Sequence, residues 1–267
     1  MGADIKTLRT RIKSVDSTLH LTKAMGLVAS SKLRRAQEGM LKGREYAEAL
    51  THTVRELAAF RECEKSPYMK TNSGGKTVLA VIAGDRGLAG GYNANIFRLM
   101  REYPDAEVIP IGKRACDRYG KEPLYAEDFT YQNARAIALS VLSGYAKGEI
   151  KAFGIVSTKY HSMMSQEATL SWVLPLAKSE KSSTVSAIFE PDALTVLDLA
   201  LPEYLAGILV AAVRESFASE IAARRVAMDS AGKNAEEMIA ELNLAYNRAR
   251  QGAITQEITE IVAGSGL

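Results

Sequence analysis

Ile5-Lys6-Thr7-Leu8-Arg9-Thr10-Arg11-Ile12-Lys13-Ser14-Val15-Asp16-Ser17-Thr18-Leu19 decides the fold, because its apolar residues recur in alternating steps of three and four. The register continues through Ala29, Leu33, Ala36, Met40, Ala47, Leu50, Val54 and Leu57. Thr22, Gly26 and Gly43 interrupt it with small side chains, which keep the seam narrow and let a partner helix come close. Proline is absent before Pro67. The pattern predicts a helix from about residue 4 to about residue 60, roughly 80 Å long at about 1.5 Å per residue. A helix of that length needs an equally long partner to cover its stripe.

The expected partner begins after Pro202, a residue suited to the first turn of a helix, and carries Leu205, Ile208, Leu209, Ala212, Val213, Phe217, Ile221 and Val226. It continues through Met238, Leu242, Ala245, Ala249, Ile254, Ile258 and Ile261, with Gly232 marking a place where it can bend. Between the helices the texture changes. After a linker from Ser66 to Gly75, strand patterns at Thr77–Ala83, Val108–Ile111, Ala152–Ser157 and Ala168–Leu176 alternate with helical ones at Asn93–Arg101 and Gln132–Ala146. The fold class is an α/β insert plus a long antiparallel coiled coil of N- and C-terminal helices, with boundaries at 1–62, 76–190 and 203–264 and a mostly parallel, Rossmann-like sheet in the insert.

Bulk properties narrow the chemistry. A chain of 267 residues with a net charge of +3 is too weakly basic for nucleic acid on charge alone, although the first helix concentrates lysine and arginine. Those cations share the helix with the seam from its first turn, whereas a DNA-binding basic region precedes its zipper, so they are read as facing acidic surfaces of a protein partner. Cys63 and Cys116 stand far apart without a C-x-x-C, and no two of His20, His52 and His161 have ligand spacing, so neither a disulfide framework nor a metal site is implied. No apolar run approaches the roughly 20 residues of a membrane span, and no signal pattern opens the chain, so a soluble protein that meets a membrane only through a partner is expected.

The glycine-rich Gly84-Asp85-Arg86-Gly87-Leu88-Ala89-Gly90-Gly91 follows a strand and precedes a helix, where a phosphate-binding turn would sit. Its spacing fits neither G-x-G-x-x-G nor a P-loop, and Gly75-Lys76-Thr77 has Lys70 where the first P-loop glycine belongs. Gly84, Asp85, Arg86, Gly87 and Gly90 are therefore read as a structural turn rather than a cofactor site. No triad elbow or paired catalytic carboxylates appear, so no catalytic residue, cofactor or metal ligand is assigned. Near the C-terminus Ile254, Ile258, Ile261 and Val262 form one stripe among Arg250, Gln251, Thr255, Glu257 and Glu260. Such regularity in a chain end points to a segment held inside another protein.

Both ends resemble one family. Leu21-Thr22-Lys23-Ala24-Met25-Gly26-Leu27-Val28-Ala29-Ser30-Ser31-Lys32-Leu33 and Tyr246-Asn247-Arg248-Ala249-Arg250-Gln251-Gly252-Ala253-Ile254-Thr255-Gln256-Glu257-Ile258-Thr259-Glu260-Ile261 are similar to the two terminal signatures of the gamma subunits of F-type ATP synthases. Asp85-Arg86-Gly87-Leu88-Ala89-Gly90 resembles that family's central domain, and Glu190-Pro191 with Leu201-Pro202-Glu203-Tyr204-Leu205 its approach to the second long helix. The resemblance implies a non-catalytic rotor shaft in the bore of a hexamer of alpha and beta subunits, coupling ion flow through the membrane c ring to ATP synthesis or hydrolysis. It implies contacts with that hexamer at Lys23, Met25, Arg250, Gln251, Thr255, Glu257 and Glu260, a foot near the c ring at Tyr204, and an epsilon subunit as a further partner. It also implies a peripheral position on the cytoplasmic face of a bacterial inner (plasma) membrane. The insert departs from the family in shorter connections around Met100–Glu107 and Glu127–Ala134 and in having no regulatory dithiol insert.

Overall fold

The computed structural model describes residues 2–177 and 189–264. The chain divides into two compact units, residues 30–223 and the paired ends, residues 1–29 with 224–267. Residues 178–188, within the expected insert, lie outside the described residues.

The first long helix, α1 (Gly2–Ala58), covers the predicted span. In the unit of paired ends it runs antiparallel to the last helix, α5 (Ala193–Gly264): the Gly26 position lies against Met228, Gly232 against Thr22 and Leu19, and Lys23 Nζ meets Glu236 Oε1 at 2.7 Å. Ile5, Leu8, Ile12 and Val15 are half-buried and Leu19, Thr22, Gly26 and Ala29 fully buried, so the seam tightens where the small residues are.

The larger unit holds a four-stranded sheet in the order β2-β1-β3-β4, from β1 (Lys76–Ile82), β2 (Glu107–Ile111), β3 (Ile150–Tyr160) and β4 (Gln166–Leu174). β1 pairs in parallel with β2 and β3, while β3 and β4 form an antiparallel hairpin. Alternate β1 residues point to opposite faces, and both faces are covered. Val78, Ala80 and Ile82 join a core built with α4 (Tyr131–Ala146), Val54 and Leu57 of α1, and Leu197, Leu201, Leu205 and Leu209 of α5. Leu79 and Val81 join a second core with Tyr92 and Ile96 of α2 (Tyr92–Leu99) and Ala115 of α3 (Lys113–Tyr119). Each fully buried leucine of α5 is worth about 1.5–3 kcal/mol of transfer free energy.

Two expectations are corrected and one element is added. The second long helix does not start after Pro202: it starts at Ala193, and Pro202 lies inside it. The missing N–H forfeits one i→i−4 bond, but Leu197, Leu201 and Leu205, at most 2% exposed, hold the helix on both sides of it. The true start is set by Asp192, whose Oδ1 accepts from Thr195 N at 2.9 Å and whose Oδ2 accepts from Thr195 Oγ1 at 2.8 Å. Helix α5 is also long and apolar enough to cross a membrane by length and composition, contrary to the sequence reading; in this chain its leucines are the core of a folded unit. Finally, α3 had no counterpart in the sequence reading.

Two tests arise here. The Thr195 bonds hold the Asp192 carboxyl below the usual carboxylate range, so its stabilising effect is present above the unfolded-state pKa and is lost as pH falls through the lower folded value. Asp192→Asn should flatten this acid limb of a thermal-unfolding series, and an unaltered limb would remove Asp192 as its source. A methyl group at Gly207 would lie 2.4 Å from Leu50 Cδ1, whereas nothing lies within 4 Å at Gly39 in α1. Gly207→Ala is expected to cost about 1–3 kcal/mol by overpacking, and Gly39→Ala to add up to about 1 kcal/mol of helix propensity. Urea midpoints moving in the same direction would refute this contrast.

Candidate partner surfaces and the glycine-rich turn

The glycine-rich turn leaves β1 and is closed from inside by a carboxylate. Asp85, 8% exposed, accepts from Lys113 N at 3.0 Å and Ala126 N at 2.9 Å through Oδ1, and from Glu127 N at 2.9 Å through Oδ2. One side chain thus ties the end of β1 to the start of α3 and to the loop before α4. Gly84 N donates to Asn93 Oδ1 at 2.9 Å, and Gly84 O accepts from Arg114 N at 3.0 Å. Gly112 is required beside it: its φ is +90° and a Cβ there would stand 1.9 Å from Ala83 O. Gly90 takes a positive φ of 57°, and so does Leu88, at 62°.

These contacts decide the chemistry of the turn. A phosphate cradle needs backbone N–H groups aimed at open space. Here Gly84 N is taken by Asn93, Lys113 N by Asp85, and Arg86 N lies 3.4 Å from Glu220 Oε1. Two carboxylates, Asp85 and the 2%-exposed Glu220, occupy the place where anionic oxygens would sit. Through Asp85 the turn fastens the end of β1 to α3 and to the loop before α4.

The predicted partner residues fall into different settings. Lys23 is exposed and pairs with Glu236 of α5, itself exposed, at 2.7 Å. Met25 is half-buried beside the seam. Arg250, Gln251, Thr255, Glu257 and Glu260 are all exposed on the last turns of α5. Thr255 returns its hydroxyl to Gln251 O at 2.9 Å, and Glu260 accepts from Gln256 Nε2 at 2.8 Å, so Arg250 and Glu257 carry charge outward with the least local competition. Tyr204 is 9% exposed, in the core around Leu201 and Leu205, and burial pushes its phenol pKa up, opposed by the Thr51 hydroxyl.

Two groups escaped the sequence reading. Leu21, Leu27 and Val28 are 58%, 69% and 57% exposed, off the seam on the outer face of α1. Their signal was available, since apolar residues outside the heptad positions of a polar helix have no intramolecular use. The second group is a set of polar side chains on α5, Glu215, Ser216, Ser219 and Glu220, breaking an otherwise apolar helix. Ser216 Oγ accepts from Thr158 N at 3.0 Å, Ser219 Oγ donates to Thr158 O at 3.3 Å, Glu215 Oε1 accepts from Tyr160 N at 3.0 Å, and Tyr92 Oη donates to Ser216 O at 3.0 Å. Burial drives the Tyr92 phenol far above its ordinary value, so it stays a donor at every physiological pH.

The Ile254, Ile258, Ile261 and Val262 stripe is 47–71% exposed. Among the described residues no cluster of His, Cys, Asp and Glu has metal-binding geometry. Antiparallel terminal helices around an α/β insert, with apolar surface left open at the C-terminal helix, define a class of interaction subunit. A family model described as ATP synthase matches residues 4–266. Relatives called ATP synthase gamma chain include that of Geotalea uraniireducens, 38% identical, and that of Ruminococcus albus, 40% identical, each aligned over 98% of both chains. Their alignments span 281 positions, more than the 267 residues of this chain, so these relatives carry residues that it lacks. The fold is similar to a chain of the Euglena gracilis mitochondrial ATP synthase solved as OSCP/F1/c-ring (TM-score 0.70, 20% identity, 100% of this chain and 97% of that one). It is also similar to one from the Tetrahymena thermophila central stalk/c-ring (TM-score 0.62, 21% identity, 79% and 99%). The chain belongs to the ATP synthase gamma chain family.

Proposed function

We propose that this chain is the central rotor shaft of an F-type ATP synthase, coupling ion flow through a membrane c ring to ATP synthesis or hydrolysis in a hexamer of alpha and beta subunits. The observation that carries the reading is the open apolar stripe at Ile254, Ile258, Ile261 and Val262, bordered by Arg250, Gln251, Thr255, Glu257 and Glu260. A surface of this kind on an otherwise polar helix end is stabilised by enclosure in another protein, and family membership names the protein that encloses it.

In this reading the chain does no chemistry. Two amides of its glycine-rich turn, Gly84 N and Arg86 N, are engaged by Asn93 and Glu220, and the Asp85 carboxylate of the turn is spent on Lys113 N, Ala126 N and Glu127 N, which supports leaving the nucleotides to the hexamer. The shaft acts by touching the conformers of each beta subunit unequally, since only a differential interaction shifts a conformational equilibrium. Lys23 and Met25 are assigned to contacts with the hexamer, together with Leu21, Leu27 and Val28. Tyr204 supports the foot from within, and epsilon and the c ring meet the insert side of the chain. The complex stands at the cytoplasmic face of a bacterial inner membrane, the chain touching the membrane only through its partners.

Native mass measurement of the affinity-purified complex tests this reading. The expected mass is one copy of this chain with three alpha and three beta subunits; recovery of the chain without a hexameric ATPase would leave a coiled-coil scaffold instead. Tight nucleotide binding by the purified chain alone would return the glycine-rich turn to an enzymatic role.

A further inference from the structure

Helix α5 holds the larger unit in two chemically different ways. From Leu197 to Val213 its inward face is aliphatic. From Glu215 to Glu220 the same helix turns polar while staying inside: Ser216, Ser219 and Glu220 are 1%, 0% and 2% exposed. A helix serving only as a core element would continue in leucine and alanine, because buried polar groups cost free energy unless each is hydrogen-bonded.

The polar residues meet β3 where its pairing with β1 stops. Pairing of β1 with β3 ends at Val81↔Val156, yet β3 runs on to Tyr160. Thr158 N, Thr158 O and Tyr160 N in that extension are taken by Ser216 Oγ, Ser219 Oγ and Glu215 Oε1, so helix side chains continue the hydrogen bonding that β1 leaves off. Arg44 of α1 reaches the same point, 2.7 Å from Glu215 Oε1 and 3.3 Å from Tyr160 O. Glu220 fills the space over Gly84, where a Cβ would stand 2.7 Å from its carboxyl carbon.

Aliphatic contact is non-directional and resists rotation of a helix about its own axis only through shape. Hydrogen bonds to fixed backbone groups are directional and set both azimuth and axial register. We propose that Glu215, Ser216, Ser219 and Glu220 are positioning residues of a torsional joint that locks the rotation of α5 to the insert, so that a turning force applied to the insert is passed to the helix without slip. This inference rests on the rotor reading.

The test uses the complete complex in sealed vesicles, comparing native chain, Ser216→Ala with Ser219→Ala, Glu220→Gln, and Leu209→Val as a packing control away from the joint. Amide exchange at Thr158, whose N–H loses Ser216 Oγ, should rise about tenfold in the serine double variant. ATP hydrolysis should stay within about twofold while coupling ions (H+ or Na+) pumped per ATP fall at least about fivefold. Leu209→Val should lower thermal stability without moving that ratio. An unchanged ratio despite faster exchange at Thr158 would overturn the joint; Glu220→Gln, which preserves side-chain volume, is the deciding variant if the double variant fails to assemble. Absence of pumping by the native complex would instead remove the rotor reading itself.

Discussion

Asp85→Ala is expected to destabilise the isolated chain by about 3–5 kcal/mol, because it strands three backbone donors together: Lys113 N, Ala126 N and Glu127 N. Ala126 N is buried, while the other two are part-buried and recover some hydration. Asp85→Asn should cost less, about 1.5–3 kcal/mol: the amide oxygen still accepts from two of the donors but its NH2 group confronts the third. Urea midpoints of the three chains give the ranking. A loss under about 1 kcal/mol for Asp85→Ala would show that the turn is held by Gly112 and Gly84 alone, and a ranking with Asn worse than Ala would refute the acceptor argument. The same substitution separates stability from function, since it leaves the outer faces of both long helices untouched.

How far the fold was legible depends on where the deciding interactions lie along the chain. The heptad seam of α1 is local, and every seam residue from Ile5 to Leu57 is buried or half-buried. The small residues in it were also readable: a Cβ at Gly43 would stand 3.5 Å from the Ala211 backbone, so the two helices are already in contact there. The start of α5 was not readable by the same logic, because the proline rule weighs one lost hydrogen bond and cannot see the tertiary burial of Leu197 and Leu201 that outweighs it. Helix α3 fails for a related reason. Its seven residues include Lys113, Arg114, Asp117 and Arg118, a poor apolar pattern, and its first amide is capped by Asp85 from far along the chain. The candidate surfaces divide likewise. Arg250 to Glu260 could be picked out because a regular stripe needs no tertiary knowledge, whereas the acid paired with Lys23 and the core position of Tyr204 depend on residues brought near only by folding.

Arg250→Ala with Gln251→Ala is the prediction with the largest functional effect. Both side chains are exposed and neither holds a core contact, so the isolated chain should keep its unfolding midpoint within about 0.5 kcal/mol. In the assembled enzyme the same pair is expected to reduce ATP-driven ion pumping about tenfold or more, since removing a charged group from an enclosed contact costs several times what it costs on a free surface. Ile258→Asp should act in the same direction through a different force. It replaces a 56%-exposed side chain that gains about 1–1.5 kcal/mol on enclosure with one that must be desolvated there. If pumping were unchanged in both variants, the end of α5 would not be enclosed by the hexamer. If only Ile258→Asp failed, the enclosure would be an apolar sleeve in which Arg250 and Gln251 have no part. The two results together therefore assign the contact to charge or to apolar burial, which the outward faces of α5 present side by side within three helical turns.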